Sequence, residues 1–189
     1  MSPTRLLSTP AQTVGPFLSI GMTWVEGELV VPQDAPGSFW IRGRLLDGAG
    51  DPVSDGVVET WQADPYGEFS HRAPLGSGGP TTGGFGRSLT RPDGQYAIHT
   101  LKPGRVGDGS GALQAPHLDA SVFARGLLHR VILRIYFGDE PGANAQDPVL
   151  ATLADDQARS TLIARPDDAG GYLLDIWLQG DHETVFFAV

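Results

Sequence analysis

Residues 130–137 read Arg130-Val131-Ile132-Leu133-Arg134-Ile135-Tyr136-Phe137, and alternation places Val131, Leu133, Ile135 and Phe137 on one side of an extended chain. The same period of two recurs on either side of this octet. Tyr172, Leu174, Ile176 and Leu178 alternate with Leu173, Asp175, Trp177 and Gln179. Val57-Val58-Glu59-Thr60-Trp61 is rich in β-branched and aromatic residues, and Asp93-Gly94 turns the chain into Gln95–Thr100, with Tyr96 and Ile98 on one face. Phe39-Trp40-Ile41-Arg42 and Leu45-Leu46 run into the turn formers Asp47-Gly48-Ala49-Gly50-Asp51-Pro52. Glu183–Phe187 reads as a last strand. Short strands of this kind predict an all-β fold, an antiparallel β-sandwich with Trp40, Trp61 and Trp177 in its core.

One short helix is expected, with Asp147 as its cap, Pro148 at its first position and Val149, Leu150 and Leu153 sharing a face. Residues 74–86 and 104–114 are rich in turn-forming residues and read as long loops, which in a small sandwich shape a site or an interface. The chain has 189 residues, and no repeat or low-complexity linker divides it, so a single domain spanning 1–189 is predicted.

Composition narrows the chemistry. There is no cysteine, which excludes disulfides, thiolate zinc sites and iron–sulfur clusters. The formal net charge of −9 repels phosphate backbones and argues against nucleic-acid binding. An acidic surface does not attract anionic ligands either, so an acidic substrate would need a local cation. The opening MSPTRLLSTPAQ lacks an apolar stretch of signal-peptide length, and no segment approaches the roughly 18 apolar residues of a membrane helix. A cytoplasmic protein is expected.

Five blocks in order carry a resemblance. They are Thr9-Pro10-Ala11-Gln12-Thr13-Val14-Gly15-Pro16-Phe17, Val58–Asp64 around Trp61-Gln62-Ala63-Asp64, Gly84–Arg87, Asp93–Tyr96 with Thr100–Gly104, and Asp175–Gly180 with Glu183–Phe187. Together they resemble the intradiol ring-cleavage dioxygenases over about residues 9–187; the first block resembles the protocatechuate-cleaving members, and the last looks specifically like their α chains. The resemblance implies a β-sandwich and O2-dependent cleavage of protocatechuate between its two hydroxylated carbons. It also implies a non-haem Fe(III) held by two Tyr and two His.

Those four ligand positions fall on Phe69, Val106, His117 and Asp119. Phenylalanine and valine offer no donor, and ferric iron favours hard anionic oxygens such as phenolate. Only His117 is retained, so no metal site is expected in this chain. Tyr66 lies near Phe69 but reads as a surface turn residue. The resemblance then implies a subunit whose Fe(III) sits on a homologous β partner, with residues 1–37 as an arm against that partner and αβ pairs in a larger oligomer.

On that basis Thr13, Gly15 and Pro16 line the partner's substrate pocket, and Arg125 faces the carboxylate of protocatechuate. A guanidinium is always charged and can grip a carboxylate with two N–H groups. Other readings stay open: a plain clamping arm, a solvated arginine in a turn, a self-sufficient metalloenzyme built on His117 and Asp119, or a non-catalytic scaffold. His71, His99, His129 and His182 have no second ligand at metal spacing and are expected to be structural or surface residues, and Asp155-Asp156 and Asp167-Asp168 read as solvated surface.

Overall fold

The computed structural model describes residues 8–15, 17–23, 25–69 and 84–188. Its framework is nine strands: β1 Phe39–Leu46, β2 Val57–Trp61, β3 Phe85–Leu89, β4 Gln95–Thr100, β5 His117–Phe123, β6 Val131–Phe137, β7 Ile163–Pro166, β8 Tyr172–Leu173 and β9 Ile176–Trp177. The hydrogen-bonded order is β3-β2-β5-β6-β7-β8-β1-β4, with β9 also on β1. Helix is confined to α1 Leu18–Gly21, α2 Pro141–Asn144, α3 Asp156–Ser160 and one 3-10 turn, Leu150–Thr152.

The two ends of that strand path face each other. A Cβ built on Gly86 in β3 would lie 3.3 Å from Ile98 in β4, although these strands stand at opposite ends of the order. One buried cluster accordingly joins Ile41, Leu45 and Tyr96 to Val58, Leu118, Leu133 and Ile135. Alternation supplies much of the core, as with Leu118, Ala120 and Val122 in β5, while the consecutive Ile135, Tyr136 and Phe137 at the end of β6 are all buried. Burying such side chains contributes about 1.5–3 kcal/mol each.

Gly43 allows β1 to receive the C-terminal strands. A side chain there would run into the Leu174 carbonyl, which instead accepts a 2.7 Å hydrogen bond from the Tyr96 hydroxyl. Burial pushes the Tyr96 phenol far above its ordinary pKa, so it remains a neutral donor. Asp175 interrupts the ladder between β8 and β9 by accepting the Arg44 N–H at 2.8 Å. The alternation over 172–179 thus holds, but as two short strands.

Several expectations need correction. The sheet is mixed: β6–β7, β1–β8 and β1–β9 pair in parallel, and the other pairs are antiparallel. Residues 183–187 form no strand, because their backbone bonds go singly to different partners, Thr184 to Trp177 and Phe187 to Ile132. The residues around Asp147 make a single 3-10 turn, ended by Leu153 in extended geometry (ψ 134°), and further helical turns lie elsewhere. Of the loop read at 74–86, residues 74–83 lie outside the described residues, and Phe85–Gly86 already belong to β3.

Trp40, Trp61 and Trp177 are half-buried and outside the central cluster. Alternation points their neighbours Ile41, Thr60 and Ile176 inward instead, and the large core positions go to Tyr96, Tyr136 and Phe137.

Candidate functional site

The candidate residues fall into two groups at opposite ends of β5. His117 begins the strand and Phe123 ends it, about 20 Å away at the usual rise per residue. Arg125 lies just beyond that far end.

At the His117 end, strand pairing sets three residues side by side. Trp61 on β2 is opposite Asp119 on β5, and Asp119 is opposite Arg134 on β6. Phe69 stacks parallel on Trp61, with ring centroids 6.4 Å apart and planes 4° from coplanar. Val106 sits in the adjoining loop, where its carbonyl accepts the Gln114 N–H at 2.8 Å, one residue before Ala115.

His117 is buried, its Nδ1 lies 2.7 Å from the Ala115 carbonyl, and its Nε2 is 3.9 Å from Asp119 Oδ1. Burial, and after it the Arg134 cation, holds its pKa below the ordinary imidazole value.

A polar chain runs inward from this point. Arg134 donates from Nε to Asp119 (3.0 Å) and from Nη1 to the Tyr136 hydroxyl (3.4 Å), and Tyr136 donates to Asp147 Oδ1 (3.1 Å). Asp147 is fully buried and also accepts the N–H groups of Val149 (2.9 Å), Leu150 (2.8 Å) and Ala115 (2.7 Å). These residues do not fit a ferric ion. Phe69 and Val106 offer no donor, the Asp119 carboxylate is already neutralised by Arg134, and a fixed guanidinium beside it repels a further cation. Among the described residues no group of three or more His, Asp or Glu is spaced to hold a metal.

Sequence reasoning had not singled out Arg134 or Tyr136. The available signal was a lone arginine within a strand otherwise apolar on both faces, which requires an acidic partner on the neighbouring strand.

At the Arg125 end, the arm and the β5–β6 turn meet. Thr13 Oγ1 accepts the Gly126 N–H at 2.7 Å. Arg125 pairs through Nε with Asp55 Oδ2, and both line a groove of about 530 Å³ with Leu127, Leu178 and Gln179. Gly15 is exposed with open space around its Cα, and Pro16 lies outside the described residues. The structure thus brings Thr13 and Arg125 together and separates both from His117.

The remaining candidates take ordinary roles. Tyr66 is 89% exposed in a turn. His99 packs on Trp40 and contacts the Val31 carbonyl at 3.3 Å, His182 packs on Trp177, and His129 is exposed. His71 lies outside the described residues. Asp155 caps α3 by accepting the Ala158 N–H at 2.7 Å, and Asp167 binds the turn amides of Ala169 and Gly171.

A family model described as "Dioxygenase" matches residues 23–180. The chain belongs to this dioxygenase family. It is 40% identical to the protocatechuate 3,4-dioxygenase alpha chain of Pseudomonas putida, over 98% of each chain. It is 34% identical to the beta chain of that enzyme from Burkholderia cepacia, over 76% of this chain and 65% of the other. Among solved structures, the hydroxyquinol 1,2-dioxygenase of Pseudomonas putida superposes with a TM-score of 0.60 at 20% identity, covering 93% of this chain and 63% of that one. At that identity the likeness speaks for the fold alone.

Proposed function

We propose that this chain is the α subunit of a protocatechuate 3,4-dioxygenase, and that it completes the substrate pocket of an iron-carrying β subunit without holding iron itself. The observation that carries this reading is 40% identity to an alpha chain along nearly the whole of both sequences. Similarity to a beta chain supports a homologous partner. The site at the start of β5 supports the division of labour, since its donors do not suit Fe(III).

The reaction is O2-dependent cleavage of 3,4-dihydroxybenzoate between its hydroxylated carbons, with both oxygen atoms entering the product, 3-carboxy-cis,cis-muconate. Fe(III) on the β subunit would supply the centre that binds the catechol oxygens. This chain's contribution is recognition. Arg125 receives the carboxylate, answering the repulsion of an acidic surface by a local cation. Thr13, Gly15 and Pro16 form the opposite edge of the pocket.

Residues 1–37 act as the arm against the partner. Phe17, Ile20 and Val25, which are 77%, 70% and 89% exposed, give it an apolar surface for that partner to cover. Alone the chain is inactive. The assembly is a higher-order αβ oligomer in the cytoplasm. Among the described residues no helix is long and apolar enough to cross a membrane.

Replacing Arg125 by Ala in the αβ complex tests the reading. KM for protocatechuate should rise while KM for plain catechol holds, by a factor matching about 1.5–3 kcal/mol for a charge-assisted contact. Equal KM values before and after replacement would remove Arg125 from the pocket and leave a scaffold role. Loss of turnover in a His117→Ala complex would instead favour a self-sufficient metal site in this chain.

A further inference from the structure

We propose that Asp55 is a positioning residue for Arg125: it holds the guanidinium by its Nε edge and so presents the Nη edge to a carboxylate. This rests on the reading of Arg125 as the group that meets the substrate acid.

The placement follows from strand register. Val57 and Phe123 are Cα partners in the antiparallel β2–β5 pair. Asp55 lies two residues before Val57 and Arg125 two residues after Phe123, so they meet as the next same-face pair past the end of the ladder. Their ion pair runs from Arg125 Nε to Asp55 Oδ2. Opposite charges placed directly across an antiparallel pair attract, whereas each would otherwise wander in solvent.

Burial differs between the two partners in the sense positioning needs. The Asp55 side chain is 23% exposed and that of Arg125 is 62% exposed, so the anchor is covered and the anchored group is open. The anchor's own backbone is fixed next door: Gly56 donates its N–H to the buried Thr90 hydroxyl at 2.8 Å, and that hydroxyl donates to the Gly56 carbonyl at 3.3 Å. On the other side, the Thr13 hydroxyl holds the Gly126 N–H. Arg125 is thus fastened at its side chain by Asp55 and at the following peptide by Thr13.

Of the five N–H donors of a guanidinium, an Nε contact leaves the four on Nη1 and Nη2, and one from each suffices for a bidentate carboxylate grip. A long side chain already held in place loses less freedom when it binds.

The experiment uses the αβ complex and compares protocatechuate with catechol. Asp55→Asn should raise KM for protocatechuate roughly three- to tenfold, the cost of ordering one long side chain. Its kcat and its KM for catechol should not change, and Asp55→Glu should restore part of the loss. In an Arg125→Ala background Asp55→Asn should add nothing. Asp55→Ser replaces Asp55→Asn in the same comparison if the amide variant does not assemble.

The proposal is overturned if Asp55→Asn leaves KM for protocatechuate unchanged while Arg125→Ala raises it, a result that spares the role of Arg125. It is also overturned if KM falls, because Asp55 then competes with the substrate, or if the effect persists without Arg125 or extends to catechol. An unchanged KM in Arg125→Ala removes the underlying reading itself.

Discussion

The Thr13 hydroxyl and the Gly126 amide are 113 residues apart in sequence and joined by a 2.7 Å hydrogen bond. This bond ties the N-terminal arm to the turn that carries Arg125. Gly126 has φ of +92°, a left-handed geometry that glycine adopts without strain, and that geometry turns the chain sharply after Arg125. Two segments far apart in the chain are thereby joined at one surface.

Thr13→Val removes the acceptor but keeps the shape. Both residues are exposed, so water satisfies the freed amide and folding stability should fall by less than about 1 kcal/mol. KM for protocatechuate in the αβ complex should nevertheless rise several-fold, and Thr13→Ser should retain the parent value. Equal KM values for all three would show that the bond has no part in recognition.

Asp147→Ala should be the most damaging single change in the polar chain behind β5. It leaves the amides of Ala115, Val149 and Leu150 and the Tyr136 hydroxyl without their acceptor. Unmet buried donors cost about 1–3 kcal/mol each, and partial rehydration tempers the sum to about 3–5 kcal/mol. Urea denaturation measures this directly, and a loss below 1 kcal/mol would contradict the assigned network.

The pKa of His117 in the folded chain is depressed by burial and then by Arg134. The unfolded chain therefore binds this proton at a pH where the folded chain does not. Stability from this group is present above the unfolded value of about 6.5 and is lost as pH falls through it toward the folded value. The chemical-denaturation free energy of the complex should drop below pH 6.5 more steeply in the parent than in His117→Gln. Identical slopes in the two proteins would argue against a buried neutral imidazole.

Much of the fold was legible in alternation. Val131–Phe137, Gln95–Thr100 and Val57–Trp61 are strands, and Tyr172, Leu174 and Ile176 point inward as their period demands. Parallel pairing was not legible, since it depends on where distant segments meet: β7 joins β6 through Tyr136 and Ile163, and β8 joins β1 through Ile41 and Tyr172. A local pattern at 183–187 could not reveal that its amides would be taken singly by Trp177 and Ile132.

The site divides in the same way. That Phe69 and Val106 carry no metal donor can be read from side-chain chemistry alone. That Arg134 pairs with Asp119 needed the register that sets the two side by side. Likewise Arg125 could be singled out from its motif, while its partner Asp55 emerges only from the pairing of Val57 with Phe123.

The division of labour between the two chains is tested most directly by the iron content of the purified αβ complex, measured by elemental analysis against protein concentration. The account predicts one iron per αβ pair. Two irons per pair, or one that departs when His117 of this chain is replaced by Ala, would contradict it.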